Sequence, residues 1–147
     1  MKRTRMGSVM VGLSLGFLFA ACRQEMQPKV SAEASSLKKP GELLWALEEA
    51  DYAVAKAAPI PSRHGCQSSE YVAAKDGAHF KISVFHCGSF EQTRALVEND
   101  STRHIDEVLR RAHDGFVLQR GPLQIMVRKT DGPENAVRIL YDLIGGL

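Results

Sequence analysis

Apolar positions along this chain recur with two different periods, and the places where each holds outline the architecture. After Pro40-Gly41, Leu43, Leu44, Leu47, Ala50 and Val54 follow helical spacing, while Pro59 and Pro61 forbid a helix beyond about Ala58. One amphipathic helix is predicted there. From Gln67 to Lys75 and from Ala78 to Cys87 the pattern changes to alternation. Asp76-Gly77 between them tolerates positive φ, so the two runs read as strands of a tight hairpin.

Ser89 stands three places before Gln92, the spacing of a capping box, and Leu96 and Val97 give the following helix its apolar side. Asn99-Asp100-Ser101 breaks or bends it. Ile105, Val108, Leu109 and Ala112 restore the stripe until Asp114-Gly115 ends it. Phe116 to Arg120 and Leu123 to Lys129 read as a second hairpin around Gly121-Pro122. A last helix starts within Asp131-Gly132-Pro133-Glu134, runs through Val137, Leu140, Leu143 and Ile144, and closes at Gly145-Gly146. The order is α-ββ-α(α)-ββ-α. Strands in hairpins, not alternating singly with helices, predict an α+β fold: a four-stranded, mostly antiparallel sheet with helices on one face.

The first residues behave differently. Lys2, Arg3 and Arg5 precede an uncharged, largely apolar stretch from Met6 to Ala21, the order of a secretory signal, and the stretch is too short and too rich in Gly and Ser for a membrane span. It ends Leu18-Phe19-Ala20-Ala21-Cys22, which resembles the lipobox of bacterial lipoproteins: two small residues directly before a cysteine. Phe19 stands where that family prefers an aliphatic residue. Ordinary secretory cleavage after Ala21 fits less well, because it wants a small residue where Phe19 stands. The resemblance implies that residues 1–21 are removed and that Cys22 becomes a diacylated N-terminus, the attachment to the membrane. Arg23, where enteric lipoproteins held at the inner membrane carry Asp, implies the outer membrane facing the periplasm.

From Arg23 to Lys39 the sequence has no apolar period and cannot bury enough surface to offset its ordering entropy, so residues 22–40 read as a lipid-anchored tether. Residues 41–147 remain for a single domain.

Charge narrows the function. The whole chain has 19 Lys and Arg against 17 Asp and Glu, and removing Lys2, Arg3 and Arg5 with the signal leaves the two signs nearly balanced. A chain without a basic cluster lacks the electrostatic footprint of a nucleic-acid binder, and export separates it from nucleic acid.

Candidate chemistry gathers around the first hairpin, where His64 and Cys66 lie near one end and His86 and Cys87 near the other. Two thiols and two imidazoles suit zinc in type. Their placement does not: adjacent residues of a strand point to opposite faces, so His86 and Cys87 do not readily share an ion. His79, His104 and His113 read as solvated. No nucleophile elbow, zinc-protease helix motif, phosphate loop or paired carboxylates nominate a catalytic residue or a cofactor. The expected function is therefore a non-catalytic binding or accessory lipoprotein of the cell envelope, contacting another envelope protein or a ligand through an open sheet face or edge. The alternative is a small exported hydrolase or metal-binding protein using the His64, Cys66, His86 and Cys87 region.

Strand register decides between a metal site and a disulfide. With Asp76-Gly77 as a two-residue loop, Lys75 faces Ala78, and stepping outward one residue on each strand brings Cys66 opposite Cys87. Alternation makes that a non-hydrogen-bonded pair, where side chains come closest. In an oxidising compartment a Cys66 to Cys87 disulfide is expected, on the more polar side of the hairpin and outside the main core.

Overall fold

The computed structural model of the protein describes residues 35–147; the signal segment 1–21 and Cys22 lie outside the described residues. Asp76 and Gly77 both take positive φ, 51° and 77°, as a tight hairpin needs. They join β2 (Gln67–Lys75) to β3 (Ala78–His86), with Lys75 facing Ala78 and Gln67 facing His86. Gly121-Pro122 likewise joins β4 (Gly115–Arg120) to β5 (Leu123–Asp131). The two hairpins merge because β5 pairs antiparallel with β3, placing Ile82 beside Val127 and Val84 beside Ile125.

The sheet has five strands, not four. The first helix, α1, spans Pro40–Glu49 and stops there; Asp51 takes a positive φ of 64°, and Ala53–Lys56 form strand β1 against β2. Ala50 and Val54 satisfy helical spacing, but Val54 also satisfies alternation. The outward backbone groups of Glu70, Val72 and Ala74 on β2 require partners, and a fifth strand supplies them. The order is β1-β2-β3-β5-β4, antiparallel throughout.

Helices α2 (Phe90–Val97), α3 (Asp100–Arg111) and α4 (Ala136–Gly145) complete the described fold. Ser89 accepts a hydrogen bond from the Gln92 backbone N–H at 3.1 Å, and Asn99 accepts from the Ser101 N–H at 2.9 Å. The break at Asn99 is thus a new N-cap. The last helix begins at Ala136, later than expected, because Asp131 closes β5 and Pro133 to Asn135 form a turn.

Helices cover both faces, not one. On the first face Tyr71, Phe80, Ile82, Ile125, Val127 and Phe116 pack with Leu43 and Leu47 of α1 and Leu140 and Ile144 of α4, forming the main core. Tyr141 of α4 meets Phe116 edge to face with ring centroids 5.1 Å apart. On the second face Phe85 packs with Leu96 of α2. Phe116, Val117 and Leu118 are all buried in succession, the mark of a strand covered on both sides.

The folded part also begins before Gly41. Ser35 and Leu37, placed in the tether by sequence, are buried, and Ser36 donates from its backbone N–H and its hydroxyl to the Leu147 carbonyl at 2.9 and 2.8 Å. Leu37 crosses the β4-β5 turn so closely that a Cβ on Gly121, whose φ is 55°, would lie 2.5 Å from its carbonyl oxygen. One apolar residue, Leu37, carries this docking, too little to register as a period.

Candidate functional site

Two regions of the second face answer to the candidate chemistry. The first surrounds the end of the β2-β3 hairpin. Cys66 and Cys87 are bonded, with Cα atoms 4.3 Å apart, the spacing of a non-hydrogen-bonded antiparallel pair. They stand outside the main core, in a small cluster with Phe85 and Leu96 and with Ile60 against it. That side of the hairpin is buried where the cysteines stand, with Leu96 of α2 packed in the same cluster.

Gln92 ties this corner together. Its side-chain oxygen accepts from the Gly88 N–H at 3.0 Å, and its amide nitrogen donates to the His64 carbonyl at 2.9 Å. The expected capping box is therefore half formed: Ser89 caps α2, while Gln92 reaches one residue further back and across to the turn at His64. His64 itself is exposed with a φ of 49°, and His86 is half-buried, facing Gln67 on one side and Leu123 on the other. Both thiols are occupied by their mutual bond, so neither is a nucleophile or a metal ligand. Among the described residues no three His, Cys, Asp or Glu side chains gather as a metal site.

The second region is the other half of the same face, over β1, β2 and β3. Pairing aligns Ala53 with Ala74 and His79, and Ala55 with Val72 and Lys81. Among the described residues no helix covers them. They line a shallow depression of about 470 Å³, in which Val72 is 47 % exposed. At its rim Lys81 Nζ lies 3.0 Å from the Glu70 carboxylate, which also accepts from the Ser83 hydroxyl at 3.5 Å. Exposed Arg128 on β5 faces Lys81, and His79 is exposed beside them. The floor is small and apolar, and the rim is mainly basic.

Sequence reasoning anticipated an open face without naming its residues. Val72 sits in the run Tyr71-Val72-Ala73-Ala74, apolar on both parities, so alternation alone could not assign it to solvent. Lys81 lies on β3 and Arg128 on β5, and they become neighbours only when β5 pairs with β3.

No family model, curated protein or solved structure matches the chain.

Proposed function

We propose that this protein is a non-catalytic lipoprotein of the bacterial cell envelope, held by a lipid on Cys22 at the outer membrane and facing the periplasm. Its domain is a binding or accessory module that contacts another envelope protein or a ligand through the open half of the second sheet face. The observation that carries the reading is the contrast within that face. Where α2 covers it, Phe85 and Leu96 are buried; where none of the described helices covers it, Val72 and the neighbouring alanines form an exposed apolar floor beside Lys81 and Arg128. An exposed apolar patch with a polar rim is the usual form of a contact surface. The Cys66–Cys87 disulfide supports an oxidising, extracytoplasmic location. Among the described residues no helix is long and apolar enough to cross a membrane.

Two measurements test this. Fatty-acid labelling and membrane fractionation of the full chain should show a labelled, membrane-bound protein, and Cys22→Ser should lose the label and either release the protein or leave the precursor uncut. A photo-crosslinking residue at Val72 should give a discrete adduct in intact envelopes, with none from the same residue at exposed Val108 on α3. Unlabelled wild type would remove the anchor, and equal adducts from both positions would remove the contact surface.

A further inference from the structure

Glu70 and Arg120 are charged side chains buried in the sheet, and they are treated differently. Glu70 holds Lys81 Nζ at 3.0 Å. Arg120 is 2 % exposed, its Nε has no hydrogen-bond partner, and among the described residues no carboxylate pairs with it. A buried guanidinium without a counter-charge is strongly destabilising, so a carboxylate is expected to reach it. Its place on the strand says from where. Arg120 shares the parity of Phe116 and Leu118 and so points to the first face, where Leu37 packs. Leu37 lies against Gly121, the next residue along, with its carbonyl oxygen 2.5 Å from where a Cβ would stand. Acceptors around Leu37 are engaged elsewhere: the Leu147 oxygen takes the Ser36 N–H and hydroxyl, and the Glu42 carboxylate takes the Lys38 and Lys39 N–H groups.

We propose that Glu33 supplies this carboxylate, so that the segment leading into the domain is pinned beside the β4-β5 turn by a Glu33–Arg120 ion pair. Glu33 lies outside the described residues. Charge and chain length select it. Glu25 and Glu33 are the only acids before Ser35. Glu33 stands four residues before Leu37, at most about 14 Å of chain from the contact with Gly121, a span that the long Glu and Arg side chains help to close. Glu25 is eight residues further back and must close a longer loop. Ala32 and Ala34 flank Glu33, so no bulky neighbour competes for the buried place. The guanidinium fork takes a carboxylate through paired N–H···O bonds, which fixes direction as well as charge. The inference rests on neither a lipid at Cys22 nor a partner for the open face. Its consequence is mechanical: tension on the N-terminal segment enters the fold at the β4-β5 turn, not at α1.

A double-mutant cycle on the full chain in detergent, read by urea unfolding, tests the pair. Glu33→Ala strands a buried charge and should lower the folding constant about tenfold or more. In an Arg120→Met background, where that charge is gone, the same change should shift it less than about twofold. Glu25→Ala should leave it unchanged in both backgrounds. Formate, a small carboxylate, should raise the midpoint of Glu33→Ala above that in chloride at equal ionic strength and leave wild type where it is. An equal loss from Glu33→Ala in both backgrounds would overturn the proposal, because the residue would then act without Arg120. So would no loss, a larger loss from Glu25→Ala, or formate stabilising wild type, which would show Arg120 open to an outside anion.

Discussion

The two faces of the sheet are held in different ways. The first is closed by α1 and α4 over a continuous apolar core that includes Phe80, Phe116, Ile82 and Ile125. Among the described residues the second is closed only over its α2 half, where a disulfide stands among few apolar neighbours. Apolar packing scales with area, so a face with enough large side chains needs no covalent help. A face with little to bury gains more from a bond that limits the unfolded chain. The leftover, uncovered half of that poorer face is where a contact surface is available without disturbing the core.

The largest effect expected from this contrast is on the first face. Phe116→Ala removes a fully buried ring that meets Tyr141, and should destabilise the domain by about 3–5 kcal/mol in urea unfolding. On the second face, replacing Cys66 and Cys87 together with Ser should remove about 3 kcal/mol by the loop-closure model. The two losses differ in origin. The disulfide loss should shrink when wild type and variant are compared under reducing conditions, whereas the Phe116 loss should not. A disulfide variant as stable as wild type under oxidising conditions would break the contrast.

The disulfide was legible in the sequence because a two-residue turn sets every pair along its hairpin, so identity at Asp76-Gly77 determines the partner of Cys66. The pairing of β3 with β5 was not legible, because no local signal brings Ile82 to Val127. The fifth strand was hidden by coincidence: Ala50 and Val54 lie on a helical stripe, and Val54 has the right parity for an inward strand residue. What settled Ala53–Lys56 was the unmet backbone of β2, a nonlocal demand. The two-sided burial of β3 and β4 did leave a trace, in Val84-Phe85 and Phe116-Val117-Leu118, where apolar residues do not alternate.

A smaller effect would sharpen the picture of the first face, which is not wholly apolar. Arg120 is 2 % exposed, burial draws its guanidinium below the ordinary arginine value, and its Nε has no hydrogen-bond partner among the described residues. Burying a charge without full pairing costs stability. Arg120→Met keeps the stem and removes the charge, so its urea midpoint should equal or exceed that of wild type. A clear loss would show that the guanidinium is held by interactions beyond its Nε.

The smallest effect lies where the chain enters the domain, at the start of α1. Glu42 accepts hydrogen bonds from the backbone N–H groups of Lys38 and Lys39, the latter at 3.0 Å, and these hold its carboxyl below the ordinary carboxylate value. A carboxylate with a depressed folded pKa contributes stability above its unfolded pKa and loses it as pH falls through the folded one. The entry of α1 should therefore loosen on acidification below the ordinary carboxylate range, before the core melts. Glu42 is fully exposed, so water screens the contribution and the global midpoint should move little. Amide exchange is the more sensitive probe. Lys38 and Lys39 N–H groups should exchange faster in Glu42→Gln than in wild type at neutral pH, and the difference should vanish in acid. A difference that persists in acid would assign the protection to helix packing and leave the carboxylate without a role.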